Sequence, residues 1–167
     1  MDGVKRLLDS KKQESLQSRQ MLAGRIGSGV VGIKRIFYVF EGNVDSRVGP
    51  LQIEFADGVV LFDAGSDGET LKVSDASWTD PFLAEDPPSD VNKAYVEKHG
   101  KWTAFDVAGS PEYLKFLESV IQTVTPRETS DGRLTGVVLK TTKGDISVMA
   151  EWDELIVGLE PALENEA

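Results

Sequence analysis

The sequence predicts an α+β fold: antiparallel β-meanders in one or two packed sheets, with a helix at the N-terminus and short helices in the middle. Three observations predict it. From Ile33 onward, short β-branched and aromatic runs alternate with turns rich in Gly and Asp. Two of those turns, Asp57-Gly58 and Lys143-Gly144, sit directly between strand-like runs, where a two-residue turn signals a hairpin. Helical spacing is confined to the first 22 residues and two brief stretches near the centre.

Residues 2–22 place Val4, Leu7 and Leu8 at i, i+3 and i+4, with Leu16 on a compatible face. The apolar stripe is thin, so this helix is expected to dock loosely or to order against a partner. LAGRIGSGVVG follows, and Gly24, Gly27, Gly29 and Gly32 read as a flexible connection. IKRIFYVF (33–40) reads as a strand and GNVDSRVG as a polar loop. PLQIEF alternates, with Leu51, Ile53 and Phe55 opposite Gln52 and Glu54; Asp57-Gly58 turns the chain, and VVLFDA returns. GSDGE is a second turn and TLKV (70–73) a third strand.

Residues 74–110 are rich in Pro, Asp and Ser and read as a long irregular connection. Within it a short helix is expected over about 88–98, closed by Gly100, and another opens at Ser110-Pro111. The second half then returns to strands: ESVIQTV (118–124), a loop PRETSDGR, LTGVVLKTT, a turn at Lys143-Gly144, DISVMAEW and DELIVGL. Aligning Gly58 with Gly144 lays PLQIEFADG over GVVLKTTKG without a gap, and the L-x-V of 71–73 meets that of 155–157 after a two-residue gap. The inference is a weak internal duplication of two three-stranded meanders, each preceded by helix. The organisation expected is a basic helix and Gly-rich connection over 1–30 and one acidic β-rich domain over 31–160.

Composition narrows the chemistry. The chain has 167 residues, a net charge of −10 and no cysteine, which excludes disulfides, thiolate catalysis and Cys-based zinc sites. Residues 1–35 hold eight Lys/Arg and three Asp/Glu; the remainder hold ten and 25. An acidic body repels phosphate backbones and speeds encounter with a basic partner, so nucleic acid is not the expected ligand. With no apolar run of membrane length and no signal-peptide stretch, a cytoplasmic protein without membrane contact is expected.

The stretch DGVVLFDAGSDGE (57–69) concentrates the candidate chemistry. VLFDAGS resembles the apolar-apolar-Asp-Thr-Gly-Ser signature of aspartic proteases, which work through two carboxylates sharing a proton. Ala64 stands where that family has Thr or Ser, and Met149 takes the position of Asp63 in the second repeat, so a dyad would require a dimer. Asp63, Gly65, Asp67 and Gly68 echo a calcium loop, but its twelfth position falls on Ser74. The only histidine, His99, rules out a His-rich metallohydrolase centre. The simplest reading is a turn whose Asp63, Ser66 and Asp67 cap backbone donors while Gly65 and Gly68 supply positive φ.

Trp78, Phe82, Trp102 and Phe105 lie in or beside the irregular middle segment, among Asp75, Asp80, Glu85, Asp86 and Asp90. Aromatics ringed by carboxylates suit a partner rich in Lys and Arg. In size, charge and lack of an assembled catalytic set the chain resembles the small immunity proteins of bacterial toxin–immunity pairs. That resemblance implies a non-catalytic inhibitor, without cofactor or metal, that masks a basic partner such as a toxin domain. The residues expected at the contact are Asp63, Asp67, Glu69, Trp78, Asp80, Phe82, Glu85, Asp86 and Trp102. The competing expectations are a hydrolase centred on Asp63 and Asp67, dimeric aspartyl or cation-dependent, and an accessory subunit tethered by the helix over 2–22.

Overall fold

The computed structural model describes residues 2–83 and 89–162, and is α+β with antiparallel sheets as the sequence predicts. Helix α1 (Asp2–Ala23) comes first, then β1 (Val30–Phe40), β2 (Asn43–Asp45), β3 (Leu51–Phe55), β4 (Gly58–Ala64) and β5 (Leu71–Ser74). After a short 3-10 turn at Pro81–Leu83 come α2 (Asp90–His99), β6 (Lys101–Asp106), α3 (Pro111–Leu114), β7 (Ile121–Glu128), β8 (Leu134–Thr141), β9 (Gly144–Glu151) and β10 (Glu154–Pro161). The first sheet runs β2-β1-β3-β4-β5 with β6 on β1, and the second runs β10-β9-β8-β7. Lys34 and Arg35 pair with both β3 and β6, and Tyr38 and Val39 with both β2 and β6, so β6 takes one edge of β1 while β2 and β3 share the other.

The two halves repeat one another residue by residue. In the first, Val30 pairs with Phe55 and, after a one-residue bulge, Gly32 with Glu54; in the second, Ile121 pairs with Thr141 and, after the same bulge, Thr123 with Lys140. Phe55–Gly58 and Leu51–Phe62 in the β3–β4 hairpin match Thr141–Gly144 and Val137–Val148 in β8–β9. Ala64–Leu71 matches Ala150–Leu155, so the two-residue gap lies wholly in the β4–β5 turn. Equivalent residues also meet. A single antiparallel bridge joins Gly29 to Val120; Val30 N–H donates to Ser119 O at 2.8 Å, and Ile121 N–H to Ser28 O at 3.0 Å. The repeat is therefore one of four strands per half rather than three, related by a local two-fold through this bridge.

The core fills the space between the sheets, where Val30, Ile33, Ile53 and Phe62 of the first meet Ile121, Leu139, Ile146 and Val148 of the second, with Phe116 and Leu22 closing one end. Leu22 belongs to α1, whose C-terminal half is docked. Ser15 Oγ accepts from Leu134 N–H at 2.9 Å, Lys11 pairs with Asp67 at 2.6 Å, and Arg19 pairs with Glu128. The first turns differ, with Val4 and Leu7 exposed to solvent. The Gly-rich run is not a loose tether: residues 24–28 form hydrogen-bonded turns and Val30 onward is strand.

Three further departures from the sequence reading have physical causes. β2 lies in the stretch read as a polar loop, because Glu41-Gly42, with φ +50 and +76, forms the two-residue turn that extends a hairpin. β6 lies in the stretch read as irregular, and its order comes from pairing along six residues of β1. β7 runs on through Pro126 to Glu128, which a proline permits at an edge strand because its missing N–H faces no partner.

Candidate functional site

The outer face of the first sheet is not wet, as alternation alone suggests. Ile36 and Gln52 point outward from it and are buried, because the segment after β5 folds back over them. Gln52 Oε1 accepts from Trp78 N–H at 2.8 Å, and Asp80 Oδ1 from Phe82 N–H at 2.9 Å. Helix α2 follows with Ser89 as its N-cap, accepting from Asn92 N–H at 3.1 Å, and with Gly100 closing it at φ +77. Tyr95 of α2 stacks on Phe82, ring centroids 5.8 Å apart, and His99 packs on Tyr95. Tyr38 donates to the His99 carbonyl and meets Trp102 edge-on at 5.4 Å.

Between this layer and the end of the sheet lies a cleft of about 710 Å³. Its floor is Ile36, Gly49, Pro50 and Asp63; its walls are aromatic, from Tyr38, Trp78, Phe82, Tyr95, Trp102 and Trp152. Of the predicted contact residues it gathers Asp63, Trp78, Phe82 and Trp102. Asp80 stands just behind, its carboxylate 2.5 Å from Lys101 Nζ, so the one basic residue lining the cleft among the described residues is neutralised. Asp67 and Glu69 are not part of it: Asp67 turns toward α1 and lines a separate groove, and Glu69 is exposed. Glu85 and Asp86 lie outside the described residues.

The stretch over 57–69 divides accordingly. Asp67 Oδ1 accepts from the N–H groups of Glu69 and Thr70, and Oδ2 from the Thr70 hydroxyl and Lys11. Burial alone would push the Asp67 carboxyl up, but these four bonds outweigh it and hold the group far below the usual carboxylate range. Asp63 is the reverse case. Burial pushes its carboxyl up, and the Ala64 N–H at 2.7 Å and the Lys72 charge across the strand pair offset this only in part. Among the described residues no Lys or Arg nitrogen lies within ion-pair distance of the Asp63 carboxylate, and no group of three or more His, Cys, Asp or Glu is gathered as a metal ion requires.

The repeat places this strand carboxylate in one half only. Asp63 faces Lys72 across β4–β5, and the equivalent pair in β9–β10 is Met149 and Ile156. Asp63 therefore has no acidic counterpart within one chain.

Sequence reasoning missed three aromatic lining residues. Tyr38 and Tyr95 read as ordinary strand and helix positions. Trp152 read as the end of a strand, but Trp152 and Asp153 are the two central residues of the β9–β10 hairpin turn, with φ +54 and +64. Such positions favour Asn and Gly, and a left-handed tryptophan costs about 1–2 kcal/mol. Trp152 is 83% exposed there, so burial does not compensate. The turn is instead pinned from below, by Asp153 N–H donating to Gly68 O at 3.0 Å.

No family model, curated protein or solved structure matches the chain. Among the described residues no helix is long and apolar enough to cross a membrane.

Proposed function

We propose that this protein is a non-catalytic acidic binding module that masks a basic protein partner, in the manner of an immunity protein on its toxin, and that the aromatic cleft is the centre of the contact. The observation that carries this reading is Trp152, held almost fully exposed in a strained turn at the rim of a cleft that also presents Trp102, 43% exposed. Strain of this kind persists where selection acts on something other than stability, and exposed tryptophans beside a pocket are the residues that dominate interface energies. The net charge of −10 supplies long-range attraction for a basic partner.

The test compares capture from native lysate, at low and at high salt, by the wild-type chain and by Trp152→Asn. Asparagine suits a left-handed turn, so the variant is expected to be more stable by about 0.5–1 kcal/mol in a denaturant melt while losing the partner. A basic protein recovered one-to-one by the wild type, less at high salt and not by the variant, is the expected result. Recovery of nothing stoichiometric, or equal recovery by both chains, would sink the reading.

The hydrolase alternative draws on the raised carboxyl of Asp63 in a cleft, a setting that active sites share. It predicts turnover of a peptide or ester library that Asp63→Asn abolishes. The binding reading predicts no turnover in either chain.

A further inference from the structure

We infer that the cleft receives one arginine side chain of the partner, its guanidinium paired with Asp63 and stacked against the aromatic walls. This deepens the binding reading and rests on it.

Among the described residues four charged side chains line the cleft: Asp63, Asp153, Glu154 and Lys101. Lys101 is already paired with Asp80, so the space is left with three carboxylates. A ligand that fits must be cationic where it meets the floor.

The shape of that cation follows from Asp63. Its Oδ1 accepts one backbone bond, from Ala64, and Oδ2 accepts none among the described residues. A carboxylate with one oxygen free and one half-used accepts a two-pronged donor, which arginine presents and lysine does not. The half-buried setting that makes the lone carboxylate costly also strengthens a pair formed with it, because water competes less for the site.

The walls favour the same group. A planar guanidinium stacks on aromatic faces, whereas a compact ammonium keeps its water. Among the described residues arginine makes such a contact twice, with Arg25 over Phe55 and Arg35 over Phe37, each 4.8 Å from the ring centre, and lysine once, with Lys115 over Phe116 at 5.1 Å. At about 710 Å³ the cleft is larger than a single side chain, so the arginine enters together with the backbone that carries it.

The experiment titrates N-acetyl-arginine amide into the intact protein and follows the indole N–H signals of the three tryptophans by NMR. The probes for comparison are N-acetyl-citrulline amide, which keeps the shape without the charge, and N-acetyl-lysine amide. Saturable shifts of the Trp78 and Trp102 signals are expected with the arginine probe, half-complete in the millimolar range for so small a ligand. Citrulline should bind at least about tenfold more weakly and lysine several-fold more weakly, since a charge-assisted fork is lost or reduced. Asp63→Asn should remove about tenfold of the arginine affinity, and Trp102→Leu should weaken it without changing the preference for arginine over citrulline.

Equal binding of citrulline, arginine shifts that leave Trp78 and Trp102 unmoved, or full affinity in Asp63→Asn would each overturn the inference. Its failure is distinguishable from failure of the parent reading. If the arginine probe does not bind, yet partner capture still depends on Trp152, the masking role stands and this assignment falls. If the probe binds as described but no macromolecular partner exists, the cleft serves a free guanidinium compound and the masking role falls.

Discussion

Asp63, near the end of β4, and Asp67, in the turn that follows, stand four residues apart and respond to acid in opposite directions. Asp67 is held low, so its contribution to stability is complete above the unfolded carboxylate value of about 4 and is lost as pH falls toward its own lower one. Asp67→Ala removes the Lys11 pair and the caps on Glu69 and Thr70 together, and should cost about 1–2 kcal/mol at neutral pH in a urea melt. The loss should shrink as the melt is repeated at lower pH, because the wild type is then losing the same bonds. Asp63 is held high, so its favourable contribution is complete below about pH 4 and is lost as pH rises through its raised value. Asp63→Asn keeps the Ala64 bond and removes the charge. It should therefore raise neutral-pH stability by up to about 1 kcal/mol, with the gain vanishing in acid. A residue whose removal stabilises the fold is a candidate for a functional role, and opposite behaviour of the two variants in the same pH series is the check.

At the scale of elements, the legible parts were those set by local chemistry. Asp57-Gly58 and Lys143-Gly144 fixed both hairpins, because a two-residue turn dictates register. Gly100 marked the end of α2, where a side chain would strike the Val39 carbonyl. The alignment of Gly58 with Gly144, with its two-residue gap, held for every pair of the β3–β4 and β4–β5 hairpins. What stayed hidden was set by distant contacts. β6 pairs only with β1, so its order has no local signal beyond the glycine before it. The cleft joins residues from β1, the segment after β5, α2 and the β9–β10 turn, and Trp152 comes to Asp63 only because two turns meet. The contact between those turns is testable. Gly68 sits at φ +73, and a Cβ there would collide with the Asp153 carboxylate. Gly68→Ala should cost about 1–3 kcal/mol and release the hairpin tip. Unfolding melts read the first effect, and a change in the Trp152 indole signal reads the second; a shift in neither would mean that the turns do not hold each other.

For the whole molecule, the repeat raises the question of whether the halves fold as one unit or two. Each is a four-strand meander with its own hairpins, which favours independence. The interior favours union, because the same buried cluster draws on β1, β3, β4 and β5 from one half and on β7 to β10 from the other. The halves are also joined through backbone. Besides the bonds from Val30 and Ile121, Glu118 N–H donates to Val30 O and Gly27 N–H to Ile121 O, each at 2.8 Å, so opening one half strips bonds from the other. Neither Val30 nor Ile121 is more than 1% exposed, so any separation wets apolar surface on both sides. Hence the amides of Val30 and Ile121 should exchange with solvent only through global unfolding, with equal protection matching the stability from a denaturant melt. The exposed first turns of α1 should exchange many orders faster. Native-state hydrogen exchange resolved by residue makes the comparison: unequal protection at these two amides, or a melt in two steps, would mean that the duplicated units retain separate stabilities and that the bridge at Gly29 and Val120 is contact without cooperation.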